Sequence, residues 1–308
     1  MSLSGRVTGS AVFDRERCDP QAPVARHDLA MSRIRSRLGL LGAGVALAAS
    51  LALVSIPSVV AGVPEGESPT TATVPAPLTG DPARERQLGD DRAVDRVLAR
   101  SATVRAGSAA RRDLALTFDD GPGPWTAPIL RTLERHRAPA TFFVIGRQAA
   151  AHPDLVRREI RDGFAVEAHT QDHARLTTLT ASAQRAQIAH GAAAIVAAGA
   201  PKPRLFRPPY GAFDATTLRI LAAEHRLLVL WSVDTRDYAQ PGADRILAAA
   251  LAGAHPGAIL LLHDGGGDRR QTADALARIV HRLRQRRYHL VTVPELMRDD
   301  PPPVRRFR

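Results

Sequence analysis

The stretch "LALTFDDGP" (114–122) ends in two adjacent carboxylates, Asp119 and Asp120. Neighbouring carboxylates repel when both are ionised, so such a pair calls for a cation or a proton that separates their roles. Read locally, Asp-Gly-Pro is also an ordinary turn, and the choice depends on partners elsewhere in the chain. His169 and His173 of "HTQDH" put two imidazoles on one side of a turn, and Asp120 completes a His-His-carboxylate face with positions left for water and substrate. A lone H-x-x-x-H arises by chance in many helices. Joined to Asp-Asp at a second strand end, it points to a divalent metal, for which zinc suits the donors best and manganese, cobalt and iron are the other candidates. With Asp120 engaged, Asp119 is left as a free general base. Arg207 of "RPPYG" is placed to pair with Asp119 and hold it ionised, the alternative being a structural arginine at a barrel rim. Pro208 and Pro209 stiffen that loop, which makes the backbone N–H near Tyr210 a fixed oxyanion donor. His263 of "LLHDG" is a general-acid candidate that Asp234 of "DTRDY" could orient and charge; a satisfied rim histidine is the alternative.

These residues need a frame that brings distant segments together. After Asp113 the sequence alternates short apolar runs with helical periods. Strands are expected at 114–118, 140–144, 164–168, 204–207, 227–233, 258–262 and 289–293. Helices are expected at 126–137, 153–162, 180–198, 215–225, 243–252 and 271–286. Seven strands with helical crossovers argue for an α/β protein with a parallel sheet closed into a barrel. A flat doubly wound sheet is the alternative and lacks a glycine-rich first turn. In a βα barrel chemistry gathers at the C-terminal ends of the strands, and the Asp pair, the His pair, Arg207, Asp234 and His263 all fall there.

The chain of 308 residues is 44% hydrophobic, enough for one large domain with extensions. Its net charge is +11, yet Lys202 is the only lysine among 42 basic residues, a bias that lowers the weight of the arginine count. The dense basic run Arg282, Arg284, Arg286 and Arg287 closes a helix, where cations suit the dipole, and 4% aromatics leave little to stack bases on. A nucleic-acid partner is therefore not expected, whereas attraction to an anionic envelope surface is compatible with the charge. Cys18 is the only cysteine, so neither a disulfide framework nor a cysteine zinc site is expected.

Residues 31–61 have the parts of an export signal: Arg33, Arg35 and Arg37, the apolar run 38–56, and Val59-Val60-Ala61 as a small-residue cleavage site. Nineteen apolar residues also just span a bilayer, so an uncleaved anchor through 38–61 is the alternative. Either way the protein is expected to be secreted or held at the cell envelope. Residues 1–30 read as an extra N-terminal segment, with Met31 the better start. Residues 62–112 read as a Pro-, Thr- and Ser-rich linker with a short helix around 91–100, 113–298 as the catalytic domain, and 299–308 as a tail.

Taken in order, "TFDDGP", "HTQDH", "RPPYG", "DTRDY" and "LLH" resemble the five motifs of the polysaccharide deacetylase family, the NodB-homology domain of metal-dependent carbohydrate esterases, over roughly 113–294. The resemblance implies a distorted seven-stranded (β/α) barrel and hydrolysis of N-acetyl or O-acetyl groups on sugars. It makes Asp119 the base, Asp120, His169 and His173 the metal ligands, Arg207 the partner of the base and Tyr210 the oxyanion donor. Asp234 becomes the residue that tunes the acid His263, and Leu261 lines the pocket for the acetyl methyl. Ala168 stands where an Asn often precedes the first ligand histidine. Tyr238 stands where a Trp usually closes the fourth motif, altering the wall of the sugar groove. The expected substrate is an acetylated poly- or oligosaccharide, peptidoglycan N-acetylglucosamine or chitin oligomers first, acted on by a monomer. An esterase for O-acetylated xylan is the alternative enzyme, and a catalytically silent glycan-binding domain the alternative outside catalysis.

Overall fold

The computed structural model describes residues 82–302, so the expected export segment, Cys18 and the first part of the linker lie outside the described residues. The chain runs through α1 (Pro82–Leu98), β1 (Thr103–Val104), β2 (Asp113–Asp119), α2 (Thr126–Arg135), β3 (Thr141–Val144), α3 (Gly146–Ala151), α4 (Pro153–Arg161) and β4 (Ala165–Ala168). It continues through α5 (Ala181–Ala197), β5 (Leu205–Phe206), α6 (Ala215–Ala223), β6 (Leu227–Val229), β7 (Val233–Asp234), α7 (Ala243–Gly253), β8 (Ala258–His263), α8 (Arg270–Gln285), β9 (His289–Val291) and α9 (Val293–Asp299). All pairings between these strands are parallel, in the order β1-β6-β5-β4-β3-β2-β8-β7, with β9 beside the start of β2.

The seven expected strands all occur, but the stretch 227–233 breaks. β6 pairs with β5 and β1, whereas β7, after three intervening residues, pairs with β8. One short stretch of chain thereby touches both ends of the strand order, which curls the sheet into a distorted barrel rather than an open doubly wound sheet.

Strand alternation decides what faces the interior. In β2, Leu114, Leu116 and Phe118 join the large core under the outer helices, with Ile129, Leu133, Ile188, Leu276 and Ile279 among its members, whereas Ala115 joins a second core. The same parity puts Phe143, Leu205, Leu227, Val229 and Ile259 in the second core and Phe142, Phe206, Leu228 and Leu260 in the first. Continuing the inward parity toward the C-terminal ends gives Thr117, Asp119, His169, Arg207, Leu261 and His263. The candidate site side chains occupy the top of the register whose lower layers are apolar.

Within 82–112 the linker expectation gives way to packed structure: the short helix expected around 91–100 is the end of the longer α1. α1 buries Ala93, Val94 and Val97 in the second core together with Val104 of β1 and Leu296 and Met297 of α9. Arg298 pairs with Asp90 at 2.6 Å and Arg204 with Asp91 at 3.7 Å, fixing its polar flank. Only a narrow apolar stripe in a highly charged segment signals this burial, and its partner helix lies some two hundred residues away in the chain. α9 is itself an element missed by the periodicity, opened by a reciprocal capping box between Thr292 and Glu295. Asp300 is buried, and its carbonyl accepts from Ser108 N–H at 3.0 Å, so the compact region runs past the expected boundary at 298.

Candidate active site

Asp119, the last residue of β2, is in register with Phe143 of β3 on one side and His263 of β8 on the other. The base and acid candidates therefore sit on adjacent strands, about 5 Å apart at the backbone. Arg207 follows β5 and is fully buried. Its Nη1 donates to Asp119 Oδ1 at 2.7 Å and to Thr117 Oγ1 at 2.8 Å, while Nη2 donates to Leu230 O at 3.1 Å. The guanidinium lies 4.0 Å from the centroid of the Phe143 ring, on top of the apolar second core. Burial pushes Arg207 down from its ordinary value and the Asp119 charge acts against that shift, so each ion is held by the other.

Asp120 has left the strand and takes a left-handed backbone conformation, φ 75°. Its Oδ1 lies 3.4 Å from His169 Nε2 and 3.1 Å from His173 Nε2, and these three atoms fall within 4.8 Å of one another. "HTQDH" is not helical: Thr170 and His173 are also left-handed, and that turn brings the two rings to 5.1 Å. His169 Nδ1 is 2.7 Å from the carbonyl of Arg207, which accepts its proton and leaves the Nε2 lone pair facing Asp120. Asp120 Oδ1 is buried without a hydrogen-bond partner. Burial pushes the Asp120 carboxyl up, but attraction to the two imidazoles outweighs it and holds the group well below the usual carboxylate range. An orphaned anionic oxygen facing two imidazole nitrogens, one with its other nitrogen already engaged, fits a divalent cation. Asp119 Oδ2 lies 4.0 Å from His169 Nε2, beside the triad.

One expected role is overturned. Asp234 ends β7 with its side chain exposed, accepting from Arg236 N–H at 2.8 Å and Tyr238 O–H at 3.4 Å. The partner of His263 is instead Asp237, which is 1% exposed. Asp237 Oδ1 is 2.7 Å from His263 Nδ1, and its Oδ2 accepts from the His263 N–H and from Thr272 Oγ1, each at 2.8 Å. The reason is geometric: Arg236 takes a left-handed conformation, φ 56°, that turns the chain and brings Asp237 beside His263. Both aspartates stand in "DTRDY", and the signal that could have separated them is that Asp234 completes a strand whereas Asp237 begins the turn. Burial alone would push His263 down; the Asp237 hydrogen bond and charge, with help from Asp119 and Asp120, outweigh it and raise the imidazole to about 9.

Tyr210 also has a left-handed backbone, φ 60°, and its ring stands 4.8 Å from that of His173. Leu261 is buried on the inward face one layer below His263. The Tyr238 ring packs edge-on to His263 at 5.5 Å. The mouth is thus flanked by two exposed aromatic rings, Tyr210 at 59% and Tyr238 at 45%. A cavity of about 410 Å³ lies elsewhere, around the start of β4 and α1. It is lined by Arg84, Asp90, Glu167, Lys202, Arg204 and Glu295, a mixed set of charges remote from the triad.

Residues 106–225 match the family model for polysaccharide deacetylases. The chain is 39% identical over 199 residues to a chitooligosaccharide deacetylase of Bradyrhizobium sp., covering 60% of this chain and 90% of the relative. It is 37% identical over 188 residues to a peptidoglycan-N-acetylglucosamine deacetylase of Bacillus cereus, covering 60% and 88%. The crystal structure of the Bc1960 peptidoglycan N-acetylglucosamine deacetylase superposes with a TM-score of 0.63 at 30% identity, over 67% of this chain and 97% of that one. The chain belongs to the polysaccharide deacetylase family.

Proposed function

We propose that this protein is a divalent-metal-dependent deacetylase of N-acetylated cell-wall glycan, with peptidoglycan N-acetylglucosamine as its first substrate and zinc as its metal. The observation that carries this reading is the meeting, at one barrel mouth, of an Arg-held carboxylate, a His-His-Asp triad and an Asp-held imidazole. A cation held by Asp120, His169 and His173 would polarise the acetyl carbonyl and acidify water. Asp119, its Oδ1 engaged by Arg207, uses Oδ2 to accept the proton of the water that attacks the acetyl carbon. The Tyr210 N–H donates to the oxygen that becomes negative. His263 Nδ1 is committed to Asp237, so Nε2 delivers the proton to the departing amine as the C–N bond breaks. Acetate and a free amino sugar result, and solvent carries the proton from Asp119 back to His263.

Two cations support an acidic glycan over neutral chitin oligomers. Arg175 stacks on the Tyr210 ring at 4.4 Å, and Arg236 sits close enough to Tyr238 for its charge to lower that phenol against the larger upward push of burial and Asp234. Among the described residues neither arginine forms an ion pair. A sugar lying on the two tyrosines would offer its carboxylates to these side chains. The reading places the protein outside the cytoplasm, released or tethered through 38–61, where such a glycan is met. Acetate release by the zinc-loaded protein from peptidoglycan, N-acetylglucosamine oligomers and acetylated xylan tests it. We expect peptidoglycan to be fastest; xylan fastest would favour the esterase, and binding without turnover on all three would leave a silent glycan-binding domain.

A further inference from the structure

The sequence does not stop being informative at His263. It continues as "DGGG" (264–267), and these residues wrap the loop that carries the metal ligand Asp120. Asp264 is fully buried. Its backbone N–H and that of Gly265 both donate to the Asp119 carbonyl, at 3.1 and 3.3 Å. Its Oδ2 accepts a short hydrogen bond from Thr126 Oγ1, and that hydroxyl accepts from the Gly123 N–H at 2.8 Å. A side chain at Gly121 would run into the Asp264 carboxylate. A side chain at Gly265 would run into the Asp120 carbonyl, and one at Gly266 into Asp120 Oδ2. The loop 120–123 is therefore gripped from both sides by a segment more than 140 residues away in sequence.

The grip has a physical purpose. Asp120 holds φ 75°, a region unfavourable for a non-glycine residue that persists only where the surroundings impose it. Relaxing that conformation would swing Oδ1 away from the two histidine nitrogens. Across the loop, the Gly121 carbonyl accepts from the Ile145 N–H at 3.1 Å.

We propose that Thr126 and Asp264 are positioning residues for the metal centre: touching neither cation nor substrate, they clamp the 120–123 loop so that the Asp120 carboxylate stays aimed at His169 and His173. This rests on the triad being a metal site, and the test separates the two claims. The zinc dissociation constant of the full-length protein is measured by competition with a chromogenic chelator, alongside the visible spectrum of the cobalt-substituted protein. Thr126→Val is expected to weaken zinc binding about 10- to 100-fold, as loss of an outer partner of a ligand typically does, and to alter the cobalt bands. Thr126→Ser, which keeps the hydroxyl, is expected to restore both. If Thr126→Val does not fold, Asp264→Asn is read by the same two measurements. Zinc bound as tightly as by the wild type, with unchanged cobalt bands, would overturn the clamp even if thermal stability fell. A wild-type protein that bound no zinc would instead overturn the triad.

Discussion

Replacing Asp237 by Asn tests the pairing that distinguishes the acid in this structure. The interval between the ordinary histidine value of 6.5 and about 9 corresponds to about 3 kcal/mol in favour of the imidazolium. Because burial acts in the opposite direction, that preference comes from neighbouring anions, Asp237 first. A dication bound at Asp120 would cancel part of the remainder and leave Asp237 as the main support. In the variant, an amide group faces three donors: His263 Nδ1–H, His263 N–H and the Thr272 hydroxyl. At least one of these contacts becomes donor to donor, costing about 1–3 kcal/mol. We expect the alkaline limb of the acetate-release profile to move down by about one pH unit or more, with kcat at neutral pH falling about 100-fold. Asp234→Asn, by contrast, should leave that limb in place. An NMR titration of His263 in both variants, at equal metal loading, gives the same comparison without turnover. The pair also has a stability signature. His263 gains affinity for its proton on folding, so its contribution is complete below pH 6.5 and is lost as the pH rises through about 9. An unmoved limb in Asp237→Asn, or a moved one in Asp234→Asn, would refute the assignment.

Asp119→Asn should abolish acetate release by about 100-fold or more while zinc still binds, whereas Asp120→Asn should lose the zinc itself, both read by chelator competition. Asp119→Asn should also lower the thermal midpoint, because Arg207 would stay buried without its counter-ion, a loss of about 3–5 kcal/mol. Glu159 of α4 is fully buried with neither carboxylate oxygen partnered, and burial, with Asp264 adding to it, pushes its carboxyl well above the usual range. A carboxyl raised in this way favours the fold below its unfolded value of 4.5 and weakens it progressively at higher pH. Glu159→Met should therefore raise the urea midpoint more at pH 8 than at pH 5, an equal gain at both being the contrary result. Val94→Asp should destabilise the protein by about 3 kcal/mol or more in urea, because α1 belongs to the core, while Leu88→Asp on its exposed side should stay within about 0.5 kcal/mol.

Much of this molecule was legible as a string of residues. The alternation of apolar runs and helical periods located the strands from β2 to β9 within a few residues, except that it ran β6 and β7 together as one strand. The candidate site residues Asp119, Asp120, His169, Arg207 and His263 were recognisable because each stands where an apolar run ends. What the string could not convey was which distant partner each polar group meets. Asp234 and Asp237 differ by three positions in one motif, and only the left-handed turn at Arg236 decides that the second reaches His263. The glycines after His263 leave, in the folded chain, the room that Asp120 occupies. Most of α1 read as linker, with only a short helix expected around 91–100, because most of its surface is charged, and the few side chains it buries gain their meaning from α9 at the far end of the chain. Local sequence determines conformational preference and the parity of a strand's faces. Pairing between residues a hundred or more positions apart is decided by closure of the barrel, which brings the strand ends together.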